Sequence, residues 1–241
     1  MNYYKNVSCF HLSFYSMVYS FYCLKGAKVI NTFTVAKLDA ETGTMGIAVA
    51  SKFPAVGSLV PFADPEAGLI VTQSQARTDF GLTGIQLLKE GLTPNKCIEY
   101  LLKDDSEREV RQIAVMDTKG NVSSFTGSKC AKWAGSIEQK GYVCIGNFLA
   151  GFNVLKSMEN VLKNYTDVKI WDMLLSALKA GENAGGDIRG KQAAALLVVK
   201  KNGGYGGYGD KIMDLRVDDH KDPLSELKRL LNIWKKELGI D

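Results

Sequence analysis

The chain is poor in the residues that conventional hydrolytic sites need. Only two histidines, His11 and His220, occur in 241 residues, and His220 alone lies in the part patterned like a folded domain. There is no G-x-S-x-G run. A serine–histidine–acid site would therefore have one possible base and no sharp turn to present its serine. The five cysteines, Cys9, Cys23, Cys97, Cys130 and Cys144, contain no C-x-x-C pair and are odd in number. That argues against a metal-binding cysteine set and against a disulfide framework. Reduced, buried thiols in a cytoplasmic protein are the simpler reading. No basic run is interleaved with aromatics, which argues against nucleic acid as a partner. The glycine-rich stretch Gly203–Gly209 lacks a following Gly-Lys-Ser/Thr, so it is not a phosphate loop and reads as a flap or an exposed hairpin. No internal repeat and no long linker divides the chain.

What is present is ordinary for a globular protein: 46% hydrophobic and 23% charged residues, enough for a sizeable core. The net charge of +4 comes mostly from the first 31 residues, which carry Lys5, Lys25 and Lys28 and no acid, leaving 27 basic against 26 acidic residues downstream. Residues 1–24 also hold eight Tyr or Phe. This opening reads as an extension: a disordered tail, a targeting segment, or sequence ahead of a start near Met17, Leu24 or Val29. As a signal peptide it has a thin basic region and no small-x-small cleavage site. As a membrane span, Val7 to Leu24 is short and carries four serines and His11. A cytoplasmic location is expected, with secretion or membrane attachment as the alternative if residues 1–24 act as an address. Residues 32–241 read as one domain.

The order of elements follows from periodicity. Thr32–Leu38 alternates, Asp39–Gly43 is a turn, and Met45–Ser51 is a mostly apolar strand, which together make a hairpin. Ser58–Phe62 and Gly68–Gln73 are two more strands, the second with the apolar run Leu69-Ile70-Val71 of a strand covered on both faces. Two helices follow, one with Ile85, Leu87 and Leu88 inward, the other entered through Thr93 with Pro94 in its first turn. Strands are expected at Arg111–Met116, Asn121–Phe125 and Tyr142–Ile145, then helices from about Asn153 and Asp167. Ala193–Lys200 and Asp214–Val217 are strands. A last helix opens at Asp222-Pro223 and stops at Gly239. Helices arrive in pairs between blocks of strands, unlike the single helices of a βαβ fold. Two antiparallel sheets packed face to face with helices outside would bury every apolar face. The expected class is α+β, a four-layer α-β-β-α sandwich.

Two segments stand out for their polarity: Gly186-Asp187-Ile188-Arg189-Gly190-Lys191-Gln192 and Asp214-Leu215-Arg216-Val217-Asp218-Asp219-His220. With Thr32–Ala36, Gly46–Phe53, Ala55–Gly57, Thr72-Gln73, Val110–Gln112, Thr126-Gly127, Cys130, Trp133–Gly135 and Gly146–Gly151, they resemble the family called domain of unknown function 1028. The resemblance runs from about Thr32 to Leu231. It implies a fold similar to the N-terminal nucleophile hydrolases. It implies no established activity, because the family is named for lacking one.

In that superfamily the first strand starts with a Thr, Ser or Cys whose own freed α-amino group is the base. Thr32 occupies the matching place, although a β-branched residue also simply suits a strand. Asn31 precedes it, so Thr32 is freed only if the chain is cut between Asn31 and Thr32. Lys52 ends the second strand and is placed to lower the pKa of a nearby nucleophile or to stand in solvent. Gln73 and Asn147 end apolar strands, as oxyanion donors or as partners of loop carbonyls. Asp187 and Arg189 are candidates to position substrate, in a glycine-flanked segment that a ligand can approach. Arg189 and Arg216 are each expected to pair, mostly out of solvent, with one of Asp187, Asp218 and Asp219. The adjacent trio Asp218, Asp219 and His220 points to alternating sides, which argues against a metal site. No cofactor is implied. The expected activity is hydrolysis of an amide bond in a small or peptide-like substrate. The alternative is a non-catalytic binding or assembly protein on the same fold. A homodimer is expected from Phe53, Pro54, Phe62 and Trp133, which fall near loops rather than at core periodicity.

Overall fold

The computed structural model describes residues 30–165 and 168–240. The readings made above for residues 1–29, and for a helix start at Asp167, lie outside the described residues. Among these residues, ten strands form two antiparallel sheets. One has the order β10-β9-β2-β1-β8-β7, from Lys211–Val217, Ala193–Val199, Thr44–Ser51, Thr32–Asp39, Tyr142–Gly146 and Gly135–Gln139. The other has the order β3-β4-β5-β6, from Pro61–Asp64, Gly68–Ser74, Arg111–Asp117 and Val122–Thr126. Five α-helices accompany them: α1 (Thr78–Lys89), α2 (Pro94–Leu102), α3 (Phe152–Asn164), α4 (Ile170–Asn183) and α5 (Pro223–Leu238).

The alternation of side chains along each strand sorts the core into three apolar clusters. Phe33 and Val35 of β1 turn toward α3, α4 and α5, where Leu155, Met158, Leu174 and Leu227 meet them. Ala36 and Leu38 turn the other way and pack with Ile47, Leu69, Val71, Ala114 and Met116 between the sheets. Ile70, Ile113 and Val115 leave the far face of the second sheet and are covered by Phe80, Leu87, Ile98 and Leu101 of α1 and α2. The face between the sheets changes character along its length. Leu38, Ala36, Thr34 and Thr32 on β1, Leu69, Val71 and Gln73 on β4, and Met116, Ala114 and Gln112 on β5 each run from apolar to polar in steps of two. One end of this interior is therefore built of buried hydroxyl and amide side chains.

Several boundaries differ from expectation. Val56–Ser58 is a short 3-10 turn, so β3 begins at Pro61 rather than Ser58. β7 was not foreseen: Gly-Ser-Ile-Glu-Gln has neither alternation nor β-branched density, and it is a half-exposed edge strand whose pairing with β8 supplies what propensity does not. The turn into β4 needs glycine at position 68, where φ is +142° and a Cβ would stand 2.0 Å from the Met116 carbonyl oxygen. Phe53, Phe62 and Trp133 are partly buried, each packed against a core cluster of its own chain. Among the described residues, no helix is long and apolar enough to cross a membrane.

Candidate active site at the start of the first strand

The polar end of the inter-sheet core lies where β1 begins. Thr32 faces Ser51 in the hairpin register, and both are buried. Its Oγ1 donates to the Ile30 carbonyl at 2.9 Å and lies 3.3 Å from Ser51 Oγ. The chain ahead of Thr32 is held in place: Ile30 N donates to Ser74 O at 2.6 Å, and Ser74 N returns a bond to Ile30 O at 3.0 Å. Ser74 makes this turn at φ +66°, an uncommon conformation for a residue with a side chain. The carbonyl oxygen of Asn31 then accepts from two side chains, Ser51 Oγ and Arg189 Nη2, the latter at 2.9 Å.

Arg189 reaches that position because Asp187 holds it. Asp187 Oδ1 takes Arg189 N and Nε, each at 3.0 Å, and Oδ2 takes Arg189 Nη2 at 2.6 Å. The backbone N–H of Lys52 adds a fourth donor, 3.0 Å from Oδ2. Two carboxylate oxygens thus satisfy four donors, and the planar guanidinium is fixed in orientation as a lysine would not be. Asp187 is fully covered, while the Arg189 side chain keeps 27% exposure and lies over the Phe148 ring, 5.7 Å from its centroid. The loop carrying the pair is tied down by an isolated bridge between Leu149 and Asp187. A pocket of about 90 Å³ opens beside it, lined in part by Phe33, Ser51, Glu182, Gly186, Asp187 and Lys191.

A chain of buried amides lies behind Thr32. Thr34 Oγ1 donates to Gln73 Oε1 at 2.7 Å, and Gln73 Nε2 donates to Gln112 Oε1 at 2.8 Å. Asn147 Nδ2 donates to the same oxygen at 2.8 Å, and Gln112 Nε2 to Gly146 O at 2.8 Å. Asn147 N also donates to Thr32 O at 2.9 Å. The two amides expected as oxyanion donors therefore converge on Gln112, a residue not foreseen as part of the site. In this arrangement they lock β4, β5 and β8 together rather than facing an open cavity.

Lys52 stands at the surface, with Nζ donating to the Lys191 carbonyl at 3.2 Å. It follows Ser51, so its side chain leaves on the face opposite Thr32. Among the described residues, the thiols of Cys97, Cys130 and Cys144 are buried. Burial pushes Cys130 up despite the Ser74 hydroxyl beside it, and burial together with the Glu159 carboxylate pushes Cys144 up far more.

The second polar segment departs from expectation. Arg216 pairs with Asp214, Nε to Oδ1 at 2.8 Å, and with neither Asp218 nor Asp219. Asp214 and Arg216 share a face of β10, whereas the strand ends at Val217 and Asp218 already lies in the turn beyond it. The Arg216 side chain is 38% exposed, so no buried ion pair exists there. Asp218 gives its carbonyl to Ala55 N, Asp219 accepts from Gln192 Nε2 at 3.1 Å, and His220 Nδ1 accepts from Asp222 N at 3.0 Å. These are turn contacts at the exposed end of the strand.

Asn31 and Ser51 were also missed as site residues. Register alone points to Ser51: counting back from the Asp39–Thr44 turn places it opposite Thr32.

Among curated proteins, none matches this chain. A solved structure does: protein SPO2555 from Silicibacter pomeroyi, assigned to DUF1028, is 31% identical, with a TM-score of 0.78 over 85% of this chain and 86% of that one. Similarity to Anbu, the ancestral beta-subunit, is weak. The protein from Yersinia bercovieri is 10% identical with a TM-score of 0.38 over 86% of this chain and 94% of that one. That from Hyphomicrobium sp. strain MC1 is 12% identical with a TM-score of 0.36 over 86% and 95%. The family model for DUF1028, a family of unknown function, matches residues 32–227, and on that match this chain belongs to the DUF1028 family.

Proposed function

We propose that the protein is an amide-bond hydrolase of the N-terminal nucleophile type, built on a four-layer α-β-β-α sandwich and armed by cutting its own chain between Asn31 and Thr32. The observation that carries this reading is the Asn31 carbonyl oxygen, which accepts from Ser51 Oγ and from Arg189 Nη2 at 2.9 Å. Donors aimed at one carbonyl in a site shielded from water stabilise the charge that develops when its carbon is attacked. Cutting there would free the hydroxyl and the α-amine of Thr32 together. An α-amine ordinarily titrates near 8, so a useful fraction is unprotonated at neutral pH. Its lone pair would take the hydroxyl proton as Thr32 Oγ1 attacks the substrate carbonyl. Departure of Asn31 would also leave Ser51 and Arg189 without their acceptor, ready to receive a carbonyl or carboxylate oxygen of an amide substrate. Asp187 serves by holding Arg189. Gln73 and Asn147 hold the sheets in register beneath the nucleophile.

Intact-mass analysis of the purified full chain, paired with an amide-substrate screen, tests the reading. A fraction starting at Thr32 is expected, turnover should scale with that fraction, and Thr32→Ala should have none. Turnover by a chain that retains Asn31 would eliminate the mechanism.

A non-catalytic binding or assembly role is the second reading. It is favoured by the fully buried Thr32, whose hydroxyl is already bonded to Ile30 O. An uncut chain with no turnover across the library is its expected signature.

A further inference from the structure

The reading above requires that Thr32 be freed, and the residue ahead of it carries its own means of doing so. We propose that Asn31 cuts the chain: its side-chain Nδ2 attacks its own main-chain carbonyl carbon, and Thr32 departs as the free amine.

The carbonyl is prepared for attack, whichever nucleophile arrives. Ser51 Oγ and Arg189 Nη2 both donate to its oxygen, and Arg189 is fixed by three bonds to Asp187. The hydroxyl next along the chain is committed elsewhere. Thr32 Oγ1 donates to the Ile30 carbonyl, one residue back from the scissile one, at 2.9 Å. An attack by Thr32 would first have to break that bond. The Asn31 amide is under no such restraint. The residue is 6% exposed, and its buried Oδ1 has no hydrogen-bond partner among the described residues. A buried polar atom left without a partner is uncommon and asks for a reason. Here no hydrogen bond to Oδ1 holds the amide in its present orientation. Nδ2 is joined to the carbon it would attack through Cγ, Cβ and Cα, so the reaction needs only side-chain rotation and no encounter.

The step balances without a co-reactant. The Nδ2–C bond forms as the carbonyl π pair moves onto the oxygen between Ser51 and Arg189. That pair then returns, and the C–N bond to Thr32 breaks. The proton lost from Nδ2 ends on the Thr32 nitrogen. The products are an upstream fragment ending in a cyclic imide and a chain beginning at Thr32. No water is consumed. Attack by the Thr32 hydroxyl would instead pass through an ester, and hydrolysis of that ester would leave an ordinary asparagine carboxylate. At early times the released fragment is therefore one water lighter by the first route than by the second. As the imide opens, it yields asparagine and isoasparagine ends together.

The experiment is a time course of the purified full chain at neutral pH, followed by mass spectrometry of both fragments. The wild type should release the water-deficient fragment. Thr32→Ala, which lacks the hydroxyl that an ester needs, should also be cut. Asn31→Ala and the near-isosteric Asn31→Asp should not be cut, and Ser51→Ala should be slowed on the order of 100-fold. Cutting of Asn31→Ala at the wild-type rate, with a full-mass asparagine fragment from the wild type, would overturn this inference and leave Thr32 as its own cutter, with the proposed function intact. A wild type that stays whole would overturn both. The mass of the wild-type fragment decides between the routes even where a variant folds poorly.

Discussion

Arg189 Nη2 stands 2.9 Å from the carbonyl oxygen of Asn31, a contact between residues 158 apart in the chain. It exists because Asp187 presents both carboxylate oxygens to the same guanidinium. Neither partner acts alone. Asp187 without Arg189 is a buried carboxylate, and Arg189 without Asp187 loses its orientation.

That dependence predicts the outcome at position 187. Asp187→Asn keeps the shape but sets an amide N–H₂ against donors from Lys52 and Arg189. The loss should be about 3 kcal/mol, below the full cost of breaking a wholly buried pair because Arg189 is partly exposed. Urea unfolding measures it. Arg189→Lys should slow the proposed cut at Asn31, because a single ammonium cannot hold Asp187 bidentately and reach the Asn31 carbonyl.

Gln112 should matter more for stability than its lack of any proposed chemistry suggests. Replacing it with leucine removes a partner from Gln73 Nε2, Asn147 Nδ2 and the Gly146 carbonyl together, leaving Gln73 Nε2 only its 3.5 Å contact with Thr32 O. At about 1–3 kcal/mol for each buried group that loses its partner, the loss should reach at least about 3 kcal/mol. Thr126→Val, which removes only one further acceptor of Gln112 Nε2, should cost about 1 kcal/mol. Equal losses for the two in denaturant titrations would show that the amides act independently.

Asp105 and Arg111 predict the acid limb of stability. They form a buried pair, Nε to Oδ2 at 2.8 Å. Burial pushes the Asp105 carboxyl up, but the Arg111 guanidinium and the Glu107 backbone N–H outweigh it and hold the group below its ordinary 3.8. A depressed folded value means that the unfolded chain takes up the proton more readily. This contribution is therefore complete above the ordinary value and is lost as pH falls through the folded one. Melting temperature should drop across that acid window. Arg111→Met should cost about 3–5 kcal/mol near neutrality, because it leaves a buried carboxylate unpaired, and should flatten the acid dependence.

Much of this architecture is readable from residue order. The alternation of Thr32–Leu38 with the turn at Gly43 specifies the hairpin, and the last helix ends at Gly239 in the left-handed conformation expected of a terminating glycine. Pairs of helices between blocks of strands already point to two sheets with helices outside. The pairing of Asp187 with Arg189 was local enough to suspect, being two residues apart in a glycine-flanked loop. β7 was invisible because an edge strand borrows its order from its neighbour rather than from its own propensity.

The sequence by itself determined which residues share a face, because alternation and helical spacing are properties of the local backbone. Only the tertiary structure decided which faces meet. Gln112 lies in the strand expected at Arg111–Met116, but only the packing of β4 and β8 beside it brings Gln73 and Asn147 to one of its oxygens. Arg216 turned to Asp214 rather than Asp218 because Asp214 shares its face of β10, which ends at Val217 before Asp218. Asn31 became the centre of the candidate site because a loop near residue 189 folds back against the start of β1. Contacts across such separations depend on the packing of whole sheets, which no short window of residues encodes.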